Sequence, residues 1–225
     1  MKRVFLAAPL LLLMALAPAA AWAQSVQQAL VDRSTLAIES ILSGQNGHDA
    51  ISVLKHARAV VICPRVFRAG FILGGEGGGC VLVARAGNGS WSDPAFYDMG
   101  GGSIGLQIGV QDAQVMMMIM NDKALSAVMD SQFKIGADAS IAVATIGGSI
   151  GGSTTAAMHA DIVTFALARG LFAGISLNGA LLSADTGWNQ TYYGQPYASR
   201  QIVVDMSANN PGANPLRAML ARYGG

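Results

Sequence analysis

The stretch AVVICPRVFRAGFILGGEGGGCVLVAR, residues 59–85, decides the fold class of this chain. Three β-branched runs within it have the length and composition of strands: Ala59–Cys63, Phe71–Gly74 and Cys80–Arg85. Pro64 is expected to stop the first strand, and the glycine cluster Gly74–Gly79 is expected to form a wide hairpin turn. The cluster is not a phosphate loop, because no lysine follows its last glycine and Cys80 opens a strand. The region therefore predicts consecutive strands.

The two cysteines, Cys63 and Cys80, lie at the end of the first of these strands and at the start of the third. In a three-stranded meander they are separated by two strands and most of a strand length, which is beyond the reach of a disulfide. We therefore expect Cys63 and Cys80 to be unpaired core residues. The alternative is a disulfide, which an exported protein would retain and which would contribute about 3 kcal/mol.

The rest of the chain continues the pattern of strands with a few helices. Further strands are predicted at Ser103–Val110, Gln114–Met120, Ser140–Ile146, Ile162–Ala168, Phe172–Leu177, Leu181–Asp185 and Gln201–Met206. Amphipathic spacing predicts helices at Gln24–Ser43, Asp49–Arg58, Asp122–Ser131 and Asn214–Tyr223. Tight glycine-bearing links leave no room for crossover helices, so the sheet should be mostly antiparallel. Glycines on the strand faces either admit a close neighbour or bend the sheet.

The predicted fold class is thus α+β. It consists of a mostly antiparallel curled sheet or partial barrel of about ten strands, with N-terminal, central and C-terminal helices.

Composition excludes several functional classes. Of the 225 residues only 12% are charged, which is too few for a coiled coil, a disordered tail or a basic nucleic-acid binder. The 28 glycines follow no period of three and are accompanied by only 7 prolines, so the chain is not collagen-like. Nucleic acid is therefore not an expected partner.

The first 23 residues have the pattern of a secretory signal. Lys2 and Arg3 precede an apolar stretch, and Ala21-Trp22-Ala23 is a signal-peptidase site, so cleavage is expected between Ala23 and Gln24. A membrane anchor is the alternative, but the apolar stretch is short for a bilayer span. Removal of the signal reduces the 14 basic residues to 12, against 13 acidic ones. Residues 24–225 are predicted to form one domain in the periplasm or outside the cell.

No recognisable catalytic or metal site accompanies this fold. His159 and Asp161 would supply two metal ligands, whereas zinc sites usually need three or four. Gly101-x-Ser103-x-Gly105 has the spacing of a nucleophile elbow, but a strand continues where the elbow needs a helix. Residues 147–153 are predicted to be a mobile glycine loop. We expect neither an enzyme nor a cofactor.

Basic residues gather around the end of the first strand. Within fourteen positions lie Lys55, Arg58, Arg65 and Arg68, with Phe67 and Phe71 interleaved. A basic turn that carries aromatic side chains suits a phosphate-rich membrane surface, where each cation contributes about 1 kcal/mol. The alternative is a solvated turn whose phenylalanines face the core.

Five motifs in order, between about Leu54 and Gly194, resemble the SYLF domain. They are Cys63–Phe71, Trp91-Ser92-x-Pro94, Gly105–Gly109, Gly136–Ser140 and Arg169–Gly179, with Tyr192-Tyr193-Gly194 near the end. The chain departs from the family at Ala144–Gly148, which lacks the usual proline and arginine, so no anion site is expected there.

The resemblance implies a non-catalytic lipid-binding module. SYLF domains of eukaryotic proteins bind phosphoinositide membranes, some fungal members bind actin, and bacterial members are secreted proteins called lipid-binding by similarity. On this basis Arg65 and Arg68 are expected to contact head-group phosphates, with Lys55, Arg58, Phe67 and Arg169 as further lipid-binding candidates. The expected partner is an anionic lipid or membrane surface. The alternative is a structural or adaptor protein of the cell envelope that acts through protein–protein contacts.

Overall fold

The computed structural model describes residues 25–44, 47–70, 73–104, 109–130, 132–145, 160–170, 177 and 179–225. Three predictions fall wholly or largely outside these residues: the signal sequence 1–23, the glycine loop 147–153 and the strand Phe172–Leu177. The predicted strand Ser103–Val110 is described only at its two ends, since residues 105–108 lie outside as well.

The described residues form an α+β fold around one eight-stranded sheet. The strands are β1 (Ala59–Gly70), β2 (Leu73–Ala84), β3 (Ala95–Ile104), β4 (Gly109–Ile119), β5 (Gln132–Lys134), β6 (Ile141–Thr145), β7 (Ile162–Gly170) and β8 (Leu181–Ala184). They lie in the order β5-β8-β3-β2-β1-β4-β7-β6, and the sheet is curled as a half-barrel. Every neighbouring pair is antiparallel except β6 and β7, which are parallel. The α+β class is confirmed, whereas about ten strands are not.

Helices cover both faces of this sheet. They are α1 (Val26–Leu42), α2 (Gly47–His56), α3 (Asp122–Met129), α4 (Thr186–Tyr193), α5 (Ser199–Val203) and α6 (Asn214–Gly224). The four predicted helices are confirmed as α1, α2, α3 and α6. Two of them begin at side-chain caps: Ser25 Oγ accepts the Gln28 N–H at 3.1 Å, and Asn121 Oδ1 accepts the Ala124 N–H at 2.8 Å.

Alternation along β1 separates two apolar cores. Val60 and Ile62 pack with α1, α2 and α6 on what we call the α1 face of the sheet. Val61 and Cys63 pack with α3 and α5 on the opposite face, called the disulfide face. All four of these side chains are essentially inaccessible to solvent, so the centre of the sheet is buried on both sides.

Cys63 and Cys80 form a disulfide, and the prediction that they are unpaired is wrong. That prediction assumed a separate strand between them. Instead β1 and β2 are neighbouring strands of 12 residues each, with Ile62 opposite Val81. The next residues along the two strands are the cysteines, and their Cα atoms lie 4.2 Å apart, within disulfide reach.

The glycine cluster belongs to β2 and not to a turn, so the predicted hairpin turn at Gly74–Gly79 is wrong. Its residues pair with β1 on one side and with β3 on the other, as at Gly75, which lies opposite both Ala69 and Gly102. One of these glycines permits a close contact, because a Cβ at Gly78 would overlap the carbonyl oxygen of Arg65. Hydrogen bonding on both edges keeps the glycines extended despite their weak strand propensity.

Two further predictions differ from the structure. Pro64 does not end the first strand, because β1 continues to Gly70. The predicted strand Gln201–Met206 overlaps helix α5, whose first turn is closed where Gln201 Oε1 accepts the Ala198 N–H at 2.8 Å. Among the described helices, none is long and apolar enough to cross a bilayer.

Candidate functional site

Strand β1 carries one extra residue in its middle. Cys63 lies opposite Val115 and Val66 lies opposite Ala113, so Pro64 and Arg65 together face a single residue of β4. The register with β2 shifts over the same segment. Pro64 has no N–H to donate to a sheet, which suits a bulge, and a bulge redirects the side chains beside it.

The bulge reverses which face the following side chains occupy. Strict alternation would place Arg65 and Phe67 on the disulfide face with Cys63. The extra residue instead leaves Val66 on that face, 3% exposed, and turns its neighbours towards α1. The Arg65 side chain is 65% exposed and Phe67 is 41% exposed. The alternative in which the phenylalanine faces the core is therefore wrong for Phe67.

Two adjoining pockets lie between the bulge and α1, and both are lined by Arg33, Pro64 and Arg65. The larger pocket has a volume of about 470 Å³ and continues past Leu30 to Phe67 and Gly77–Gly79. The smaller has a volume of about 220 Å³ and continues to the residues Leu36, Asp112, Ala113, Gln114 and Leu167. We call the two pockets together the Arg33–Arg65 groove.

Arg33 is a residue of this groove that the sequence interpretation missed. It lies on α1, where it is exposed and has no ion-pair partner within the described part of the chain. The helix approaches the sheet here because β2 presents glycine: a Cβ at Gly79 would lie 3.2 Å from Leu30 Cδ2. The amphipathic spacing of α1 placed Arg33 on the polar side, but no sequence signal linked that side to the bulge.

Arg65 is held across the groove by two contacts. Its Nε donates to Asp112 Oδ2 at 2.7 Å, and its guanidinium carbon lies 5.7 Å from the centroid of the Phe67 ring. Asp112 is itself 42% exposed. An ion pair this open to solvent contributes at most about 1 kcal/mol, so Arg65 can exchange Asp112 for another anion at little cost.

The predicted cations do not form one cluster. Arg58 lies at the other end of β1, where it donates to Asp122 at 2.9 and 3.1 Å. The hydrogen bond and charge of Asp122 raise the pKa of Arg58, and Arg58 in turn lowers the pKa of Asp122. Arg68 points away from Arg65 and pairs with Glu76, the two side chains being only 16% and 9% exposed.

Two other lipid-binding candidates, Lys55 and Arg169, are not among the residues that line the groove. Lys55 is exposed near the end of α2, away from the residues that line the groove. Arg169 lies directly opposite Asp112 in the β4–β7 ladder, so its backbone is close to the groove. Of the six lipid-binding candidates, the structure therefore brings Arg65 and Phe67 together, sets Arg169 on an adjacent strand, and separates Arg58, Arg68 and Lys55.

Comparison with known proteins identifies relatives of this fold. The human protein named "SH3 domain-containing YSC84-like protein 1" is 29% identical over 186 residues, which cover 81% of this chain and 54% of the human one. Its Xenopus laevis counterpart is 30% identical over 158 residues, which cover 68% of this chain and 47% of that protein. "Protein YSC84" of Saccharomyces cerevisiae is 29% identical over 171 residues, which cover 75% and 36%. The chain spans about half or less of the length of these relatives.

A protein family matches more than half of the chain. Residues 100–223 match the family Ysc84, described as "Las17-binding protein actin regulator". This range begins in β3 and extends through α6, and therefore includes Asp112 and Gln114 of the groove. With the relatives above, it confirms the resemblance found in the sequence: the chain belongs to the Ysc84, or SYLF, family.

Proposed function

We propose that this protein binds the anionic surface of a membrane through the Arg33–Arg65 groove, without catalysing a reaction. The observation that carries the proposal is the pairing of exposed cations with exposed apolar side chains. Leu36, which is 60% exposed, lies in the groove with Arg33, and Phe67, which is 41% exposed, lies beside Arg65. Guanidinium groups meet lipid phosphates while leucine and phenylalanine enter the interface.

The disulfide supports the proposed location. Disulfides form and persist in oxidising compartments, and Cys63–Cys80 is a buried bond between neighbouring strands. We propose that the first 23 residues direct export, that cleavage falls between Ala23 and Gln24, and that the protein acts in the periplasm or outside the cell. The accessible membrane would then be an envelope membrane.

The composition of the groove supports a binding role without catalysis. Its charged side chains are Arg33, Arg65 and Asp112, and neither pocket contains a serine, cysteine, histidine or lysine. Among the described residues that line the groove, Asp112 is the only group that could act as a nucleophile or a base, and nucleophilic catalysis needs two such groups side by side. Two arginines and a carboxylate recognise a ligand by charge and hydrogen bonding.

Vesicle flotation of the purified, oxidised protein tests this proposal. We expect binding to vesicles that contain phosphatidylglycerol, weaker binding at high salt, and little binding to pure phosphatidylcholine. Each basic side chain near an anionic surface contributes about 1 kcal/mol, so Arg33→Gln with Arg65→Gln should lower affinity roughly 30-fold. Arg58→Gln is the matched control, because Arg58 is also an exposed arginine that pairs with an aspartate, but at the other end of β1. If the protein binds equally well with and without anionic lipid, and if the double substitution leaves its affinity unchanged, the proposal is wrong.

A second candidate function is an adaptor that binds another protein. It is favoured by the family description, which names a protein partner, and by a separate pocket of about 250 Å³ beside Arg58 and Asp122. Val204 and Met206 line this pocket and are 43% and 37% exposed. If this function is correct, Val204→Ser with Met206→Ser should abolish cross-linking to an envelope partner, whereas the Arg33 and Arg65 substitutions should not.

A further inference from the structure

The smaller pocket of the Arg33–Arg65 groove contains hydrogen-bond acceptors as well as donors. Arg33 and Arg65 provide guanidinium donors on the side of α1 and β1. Across from them, Asp112 and Gln114 project from β4 into the same pocket. In a site that binds only a phosphate, the carboxylate of Asp112 would be unfavourable, because the two negative charges repel each other.

Asp112 and Gln114 each have a side-chain oxygen that accepts no hydrogen bond from the described residues. Asp112 accepts from Arg65 through Oδ2, and its Oδ1 has no hydrogen-bond partner within the part of the chain that the structure describes. Gln114 Oε1 is buried and unpartnered in that part as well. A buried acceptor without a partner is unfavourable by about 1–3 kcal/mol, so a ligand gains affinity if the Gln114 side chain rotates outward and accepts from it.

The geometry points to a ligand that carries a phosphate and a primary ammonium group a few bonds apart. We propose that the smaller pocket recognises a phosphoethanolamine group, with the phosphate at Arg33 and Arg65 and the ammonium donating to Asp112 and Gln114. This inference rests on the proposed membrane-binding function and names the head group that the same groove prefers. A primary ammonium has three N–H donors, whereas the trimethylammonium of choline has none.

The size of the pocket agrees with a head group. Its volume of about 220 Å³ is below the range of about 300–1,000 Å³ for sites that enclose a drug-sized ligand. Leu36 and Leu167 line the same pocket and provide an apolar wall beside the polar groups. Acyl chains would remain in the membrane, and only the phosphate ester and its amine would enter.

The test compares vesicles that differ only in the methylation of the amine. Two sets carry the same share of phosphatidylglycerol, with the remainder phosphatidylethanolamine in one set and phosphatidylcholine in the other. We expect the oxidised protein to bind the ethanolamine vesicles about fivefold more tightly, as one charge-assisted hydrogen bond of modest strength provides. Asp112→Asn should abolish this preference and should tighten binding to the choline vesicles, because Arg65 loses its competing carboxylate. Asp122→Asn is the matched control and should keep the preference.

The outcomes separate the two proposals. Equal binding of the wild-type protein to both vesicle sets, or a preference that survives Asp112→Asn, would overturn the head-group inference and leave anionic membrane binding intact. Binding to neither vesicle set would overturn both. Soluble phosphoethanolamine should also displace the protein from vesicles better than phosphocholine does, and equal displacement would contradict the inference. Tight binding of soluble phosphoethanolamine without any vesicle preference would overturn the lipid as the source of the group and would identify a free phosphate ester instead.

Discussion

Arg68 of β1 and Glu76 of β2 lie opposite each other in the ladder and form an ion pair that is largely closed to solvent. Arg65, three residues earlier, forms its pair with Asp112 at an exposed position on the other face of the sheet. The two arginines thus have different roles, although they look equivalent in the sequence. Arg68 is largely buried within the sheet, while Arg65 is exposed in the Arg33–Arg65 groove.

Removal of Arg68 should therefore destabilise the fold. Arg68→Gln leaves the carboxylate of Glu76 buried without its partner, which costs about 3 kcal/mol. Arg58→Gln breaks only the exposed pair with Asp122 and should cost at most about 1 kcal/mol. Urea unfolding of the wild-type protein and the two variants measures both losses in the free energy of unfolding. Equal loss of stability in the two variants would contradict this assignment.

Reduction of the disulfide should lower stability without abolishing the fold. Cys63 and Cys80 are separated by 17 residues, and closing a loop of about this length stabilises a protein by about 3 kcal/mol. Thermal unfolding with and without reductant measures the difference, and a variant with both cysteines changed to alanine should not respond to reductant. Two free thiols in the denatured, unreduced monomer would show that the bond is absent.

The close approach of β2 to the bulge should make Gly78 intolerant of a side chain. Gly78→Ala would force a Cβ against the carbonyl oxygen of Arg65 and should cost about 1–3 kcal/mol. It should also weaken vesicle binding, because it displaces the backbone that positions Arg65. Gly100→Ala is the control, since a Cβ at Gly100 meets nothing within 4 Å. Similar unfolding midpoints for the two variants would contradict the close contact.

Phe67 should contribute to membrane binding and little to stability. Its ring is 41% exposed, so Phe67→Ser removes an interfacial contact of about 1 kcal/mol and lowers vesicle affinity about fivefold. Val204→Ser is a suitable control, because Val204 is exposed to a similar extent in the separate pocket beside Arg58. Flotation and urea unfolding of both variants distinguish the two effects. A loss of stability without a loss of binding would place Phe67 in the core.

Acidification should remove one stabilising contact next to the parallel strands. The Asp161 carboxylate accepts from Asn121 Nδ2 at 2.8 Å, and from the Ser140 backbone N–H at 3.0 Å and hydroxyl at 2.8 Å. These bonds lower the pKa of Asp161 from its ordinary value of 3.8, and the bond from Asn121 has the largest effect. The stabilisation is therefore present above pH 3.8 and is lost as the pH falls through the lowered value.

Comparison with Asp161→Asn measures this effect. The difference in unfolding free energy between the wild-type protein and the variant should be constant from neutral pH down to the ordinary pKa of the carboxyl group and should shrink below it. A difference that persists in strong acid would show that the carboxylate charge is not involved.

Four of the six described helices, α1, α2, α3 and α6, were predictable because their signals are local. Amphipathic spacing predicted α1 and α6, and the asparagine cap of α3 is visible at Asn121. Helix α5 was missed because the run Ile202-Val203-Val204 is β-branched and is typical of a strand. Its helical conformation depends on the Gln201 cap and on burial of Ile202 and Val203 against the disulfide face. The secondary-structure propensities of these residues do not reflect that tertiary contact.

The site was predictable only in part, for a similar reason. The sequence predicted Arg65 and Phe67 as site residues, since a basic turn with aromatic residues is a local pattern, and the structure places both at the groove. The prediction grouped them with Arg58 and Arg68, because residues close in sequence were assumed to share a surface. Which face each side chain occupies depends on a single bulge, and the contribution of Arg33 depends on how α1 packs, so neither follows from spacing.

The bulge at Pro64 also determines which mutations this surface tolerates. If the same residues formed a regular strand without the bulge, strict alternation would place a guanidinium and a phenyl ring in the core beside the cysteines. Deletion of Pro64 would instead remove the extra residue and leave Val66 and Phe67 on their present faces, because Cys63 and Val66 would then be two positions apart. The proposed binding surface therefore depends on the extra residue in β1 as much as on the identity of its side chains. A chain could keep every arginine and still lose the surface if β1 paired without the bulge.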